Sequence, residues 1–97
     1  MKTSEALHCH RSDIRRVVEN HDAYNPMVFG SVLHGDDTEG SDLDLLVDPI
    51  DGKTSLFSIV RINRDLEALL GVKADVLTPL ALHERFRQDV LCEAVPV

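Results

Sequence analysis

The chain has 97 residues, 43% of them hydrophobic and 28% charged, with a formal net charge of −7. One small core fits in that length and a second does not. The negative balance disfavours binding a polyphosphate backbone and favours a cation or a basic partner.

The first element is expected to be a helix from about Ser4 to about His21, because Leu7, Ile14, Val17 and Val18 recur at helical spacing. Thr3 or Ser4 is a suitable N-cap. The N-terminal stretch "MKTSEALHCHRSD" carries no apolar run long enough for a signal peptide or membrane span. His8, His10 and His21 on this helix read as a solvated face. "HDAYNP" breaks the helix, and Pro26 biases Asn25 towards an extended conformation. A short strand, Met27 to Phe29, then ends at Gly30. "VLHGDDTEGS" is a helical turn or loop.

"DLDLLVDP" is the clearest strand. Leu43, Leu45 and Val47 face one way, and Asp42, Asp44 and Leu46 the other. Pro49 stops it. A second helix is expected from about Ser55 to Leu70. Its apolar face is Leu56, Ile59, Ile62 or Asn63, Leu66, Leu69 and Leu70; Thr54 or Ser55 caps it and Gly71 ends it. Lys73 to Thr78 forms a third strand. Thr78-Pro79 resembles an N-cap and first-turn proline for a helix from about Leu80, interrupted near Asp89. The apolar tail Ala94–Val97 is expected to pack as an added strand. The order predicts an α/β (α+β) fold: a small mixed sheet of three to four strands with helices packed on one side. Cys9 and Cys92 have no metal-type spacing and read as free thiols of a reducing, cytoplasmic compartment.

Seven of the 17 acidic residues lie between Asp36 and Asp51. Asp36, Asp37 and Glu39 read as a solvated loop. Asp42 and Asp44, at i and i+2 on a strand, share a face and repel unless a cation lies between them. Such a pair either lines a wet strand face or holds Mg²⁺, which takes one or two carboxylates together with substrate phosphates. Gly30-Ser31 ends the preceding strand, and the backbone beyond it can face an anion; alternatively it is a strand-ending turn. Asp75 sits inside a strand, where aspartate is depleted. It is either an exposed edge residue or a third carboxylate, a metal ligand or a general base. An EF-hand register fails at position 6 from Asp36 and from Asp37, and no Walker or Rossmann glycine pattern is present.

Together, "GSVLHGDDTEGSDLDLLVD" and the later "ADVLT" resemble the signature of the DNA polymerase beta-like nucleotidyltransferase superfamily, a Gly-Ser, a ten-residue gap and D-x-D. The small size is similar to the minimal nucleotidyltransferases, commonly the antitoxins of HEPN/MNT toxin–antitoxin pairs. The resemblance implies the nucleotidyltransferase fold. It implies that Gly30 and Ser31, with His34 and Gly35, bind nucleotide phosphates, and that Asp42, Asp44 and Asp75 are catalytic and hold one or two Mg²⁺ ions. The implied reaction moves AMP from ATP to a hydroxyl, a tyrosine of a cognate HEPN RNase toxin, with no nucleic-acid or membrane partner and room for an oligomer. His34 departs from the family, which often has Arg there. Histidine is only partly charged near neutral pH and lacks the guanidinium fork. Two other readings stay open: an antitoxin that neutralises its toxin by occlusion alone, and a nucleotidyltransferase acting on small molecules.

Overall fold

In the computed structural model, residues 2–97 are described. They form a four-stranded mixed sheet in the order β3-β2-β1-β4, with five α-helices and one 3₁₀ turn. Two helices, α1 (Thr3–Cys9) and α2 (Arg11–Asn20), stand where one was expected. The break is His10, at φ −126° and ψ 24°, which ends α1 and precedes α2. Ile14 and Val18 keep the α2 stripe in the core. The break frees α1 to pack on the segment ahead of the acidic strand, where Ser4 N–H donates to the Asp37 carboxylate at 2.9 Å. Asp37 is therefore buried, not part of a solvated loop.

Strand β1 (Ala23–Phe29) is longer than the expected Met27–Phe29. Its early part was hidden by Asn25-Pro26. Asn25 is not extended but left-handed, at φ 54°, and Asn tolerates that region better than most residues. The ladder slips there: Tyr24 faces Asp48 and Met27 faces Leu46, so β1 holds one extra residue. That bulge accommodates Pro26, which has no N–H to pair. Asn25 Nδ2 donates to Asp48 at 3.0 Å.

After the short helix α3 (Ser31–His34), β2 (Leu43–Pro49) runs antiparallel to β1 and parallel to β3 (Ala74–Leu77). Leu43, Leu45 and Val47 enter the core with Ile14, Val18, Ile62 and Leu66, as their alternation predicts. Leu46, on the opposite face, is also buried, and the 3₁₀ turn Pro79–Ala81 lies against β2.

Helix α4 (Leu56–Leu70) starts at Ser55, whose hydroxyl accepts from Ser58 N–H, and ends at Gly71 in the left-handed region. Its inward residues are Ser58, Ile62 and Leu66; Leu56 faces solvent, contrary to the expected apolar face. Asn63 bonds an edge strand instead of filling the core, as described below.

Thr78-Pro79 opens the 3₁₀ turn, not a long helix, and α5 (Glu84–Glu93) begins later behind His83, without interruption at Asp89. His83 Nδ1 accepts from Arg85 N–H, and Arg87 spans back to the carbonyls of Pro79 and Leu82. The tail adds β4 (Val95–Pro96) antiparallel to β1, as expected. Val97 is buried, its N–H bonded to Pro26 and its carbonyl to Arg15. Cys9 and Cys92 are free and exposed. The three helix-one histidines bind no common partner: His10 meets Asp13 and His21 meets Asp65. No helix among the described residues is long and apolar enough to cross a membrane.

Candidate active site

The site is built on the middle of the sheet. Parallel pairing sets Asp44 directly beside Asp75, on adjacent strands and in the same register. Residues so paired point to the same face, with backbones about 4.8 Å apart. Asp42 lies one position before β2 begins, two residues from Asp44, which puts it at the entrance to the same face. From the other side, β1 ends at Phe29, opposite Asp44, and the chain turns at Gly30.

Gly30 makes that approach possible. Its φ of 77° and ψ of −152° belong to a region open to glycine alone, and a Cβ there would collide with the Asp44 carboxylate. Ser31 opens α3, so its N–H and that of Val32 precede the first intrahelical bond, from His34 N–H to Gly30. Gly35, left-handed at φ 74°, closes the turn. The Gly-Ser corner and the acidic strand are thus in direct contact.

Electrostatics follow from that geometry. Burial first, then the Asp75 and Asp42 carboxylates, raise the Asp44 carboxyl above its ordinary pKa. Asp75 and Asp42 thus both act on the Asp44 carboxyl. Among the described residues no three His, Cys, Asp or Glu side chains are placed to hold a metal ion unaided. Asp42, Asp44 and Asp75 could hold Mg²⁺ only as a partial ligand set, completed by oxygens of substrate and water, which suits that ion.

His34 is the last residue of α3, between the Gly30-Ser31 corner and Gly35. Its Nε2 lies 3.2 Å from Glu93 on α5, and both side chains are about half exposed. It bonds none of the three aspartates.

Four supporting contacts escaped the sequence reading. Asn63 Oδ1 accepts from Val76 N–H at 3.0 Å, and Glu67 Oε2 accepts from Ala74 N–H at 3.1 Å. One turn apart on α4, they hold the N–H groups of the residues on both sides of Asp75. The hydroxyl of buried Thr3 donates to the Ser41 carbonyl, just ahead of Asp42, and Asp37 is held by Ser4. The available signal was Asn63, a polar residue adjoining an apolar face.

Comparison with known proteins agrees with this picture. The profile of the family described as nucleotidyltransferase domain matches residues 12–97. A relative from Methanocaldococcus jannaschii, named "Putative protein adenylyltransferase MJ0435", is 37% identical over 81 residues, 84% of this chain and 86% of its own. Further relatives carry the protein adenylyltransferase name. A solved structure described as a "putative minimal nucleotidyltransferase" superposes with a TM-score of 0.85 at 39% identity, over 97% of this chain and 95% of the other. A chain of "the toxin-antitoxin with AMP-PNP" shares the fold with a TM-score of 0.74 at 17% identity, over 88% of this chain and 69% of that one. With the profile and the relatives spanning most of the chain, this protein belongs to the nucleotidyltransferase domain family.

Proposed function

We propose that the protein is an antitoxin that transfers AMP from ATP to a tyrosine hydroxyl of a cognate HEPN RNase toxin, in a Mg²⁺-dependent reaction. The observation that carries this reading is Asp44 paired beside Asp75 and set against Gly30, with Asp42 two residues ahead; burial first, then the Asp75 and Asp42 charges, raise the Asp44 proton affinity. A carboxylate cluster with no cation of its own is costly to ionise, and a divalent ion would remove that cost. The donor set fits: hard carboxylate oxygens on residues that are partly or fully exposed, beside the Gly-Ser corner.

In this reading Asp42 and Asp44 would hold Mg²⁺, with Asp75 as the third ligand or the group next to the acceptor. The ion, when bound, supplies positive charge to the phosphates. Gly30, Ser31 and Gly35 orient the triphosphate through backbone N–H groups and the Ser31 hydroxyl. The acceptor oxygen forms a bond to the α-phosphorus, the bond to the leaving pyrophosphate breaks, and Asp75 receives the hydroxyl proton. The relatives' name and the AMP-PNP held by the toxin–antitoxin structure support this choice of nucleotide and partner.

Incubation with ATP, Mg²⁺ and the product of the neighbouring gene tests it. AMP mass is expected on the partner, and Asp42→Asn with Asp44→Asn is expected to abolish it. No added mass, with folded protein and several nucleotides tried, would overturn it. One observation favours a second reading, neutralisation by occlusion: where the family often has Arg, His34 is engaged with Glu93. The same double variant separates the two, because occlusion survives loss of the carboxylates.

A further inference from the structure

Asp75 sits on a short strand at the edge of the sheet: β3 has four residues and pairs with β2 on one side. Leu43 N–H donates to the Lys73 carbonyl, and backbone groups alternate in direction along a strand. The N–H of Asp75 therefore faces β2, and those of Ala74 and Val76 face away from the sheet. Helix α4 takes both outward groups. Val76 N–H donates to Asn63 Oδ1 at 3.0 Å, and Ala74 N–H donates to Glu67 Oε2 at 3.1 Å.

Two periodicities make this fit. Four residues of helix rise about 6 Å, and two residues of strand advance about 6.6 Å. Asn63 and Glu67 are four apart; their partners, Val76 and Ala74, are two apart and in reverse order, as a helix antiparallel to β3 requires. Each side-chain oxygen thus replaces the carbonyl that a further strand would offer. The Glu67 carbonyl also accepts from Gly71 N–H, so this one residue ties the helix end to the strand start. Val76 enters the core with Ile62 and Leu66 of α4, so Asp75, one residue away, projects from the opposite face. Asn63 and Glu67 are linked to its carboxylate through the backbone.

We propose that Asn63 and Glu67 are positioning residues for the transfer reaction: by fixing the N–H groups on either side of Asp75, they hold its carboxylate in register with Asp44. The proposal rests on the reading of Asp75 as the third carboxylate of a transferase site. A reacting group misplaced by about 1 Å loses rate on the order of a hundredfold. Asn63 carries more of this than Glu67, because the bond to Val76 is part-buried, whereas the Ala74 N–H is exposed and can turn to water.

The test compares Asn63→Ala with Asn63→Asp, which keeps the accepting oxygen, in two measurements on the full chain. The first needs neither metal nor nucleotide: in NMR relaxation of the Asp75 side-chain methylene, Asn63→Ala is expected to lower the order parameter and Asn63→Asp to restore it. The second is AMP transfer from ATP–Mg²⁺ to the product of the neighbouring gene. Asn63→Ala is expected to lower kcat on the order of tenfold while the KM for ATP stays within about twofold, because the Gly30-Ser31 corner is untouched. Asn63→Asp is expected to recover kcat to within about threefold. Glu67→Leu repeats both measurements at an exposed bond, with smaller losses in the same direction, and Glu67→Gln is its rescue. Val97→Ala, on the β4 side of the sheet, is the destabilised control, with kcat unchanged. An equal fall in kcat for Val97→Ala would show that stability alone is at work and would overturn the proposal. So would an Asp75 methylene as ordered in Asn63→Ala as in the wild type, or a kcat that Asn63→Ala leaves unchanged. If the wild type transfers no AMP while the order parameter falls and recovers as expected, the transferase reading falls and the anchoring of Asp75 stands.

Discussion

At the residue scale, Gly30 and Asp44 form a unit that neither could form with another neighbour. Gly30→Ala places a side chain in a glycine-only conformation and against the Asp44 carboxylate. We expect a loss of about 1–3 kcal/mol in urea denaturation and loss of Mg²⁺–nucleotide binding, because Asp44 can make room only by moving. Asp44 also has a pH signature. Its folded pKa is raised, so its contribution to stability is complete below the unfolded pKa and is lost as pH rises through the folded one. The metal-free Asp44→Asn variant should therefore melt above the wild type at neutral pH and draw level as pH falls below about 4; Mg²⁺ should raise only the wild type. Melting temperatures recorded in chelator that stay equally far apart, or equal, across this pH range would refute this. The D-x-D pair and Asp75 were legible in sequence because strand alternation dictates facing. The buried state of Asp37 was not, because its partner, the N-terminus of α1, lies thirty-three positions away in the chain.

Helices and strands show where local pattern stops being informative. Ile62 and Leu66 took their places by periodicity, while Leu56, equally apolar, projects outward at the first turn, where the core no longer reaches α4. The α1–α2 break was hidden because Leu7 and Ile14 are two turns apart whether or not the helix bends. Asn63 and Glu67 gain their meaning only once β3 lies beside α4. Asn63→Ala leaves the Val76 N–H without a partner and is expected to cost about 1–3 kcal/mol, with faster hydrogen exchange at Val76. Asn63→Asp, which keeps the acceptor, should recover most of it. If Asn63→Asp exchanges as fast as Asn63→Ala, that bond does not hold the strand. Asp37 gives an opposite pH trend to Asp44: the Ser4 N–H lowers its pKa, so its contribution is present above the unfolded pKa and lost as pH falls. Asp37→Ala should lower the melting temperature at neutral pH and shrink its fall between neutral and acidic pH.

On the scale of the whole molecule, the sheet order follows from pieces that the sequence pattern could place: a parallel β2–β3 pair joined through α4, an antiparallel β1–β2 pair, and the apolar tail returning to β1. Val97 closes the core at that end, so Val97→Ala should cost about 1.5 kcal/mol by lost apolar burial, measured by chemical denaturation; no change would mean that the tail is peripheral to folding. Both margins of the sheet are also plugged. On one, Asn63 and Glu67 occupy the outward N–H groups of β3; on the other, β4 is two residues long and one of them is Pro96. Free strand margins template the addition of further strands, and at β3 and β4 the described residues leave few outward N–H groups for it. Both margins are thereby made poor templates for amyloid-like stacking and for partners that bind by backbone pairing, which shifts recognition of another protein towards side chains.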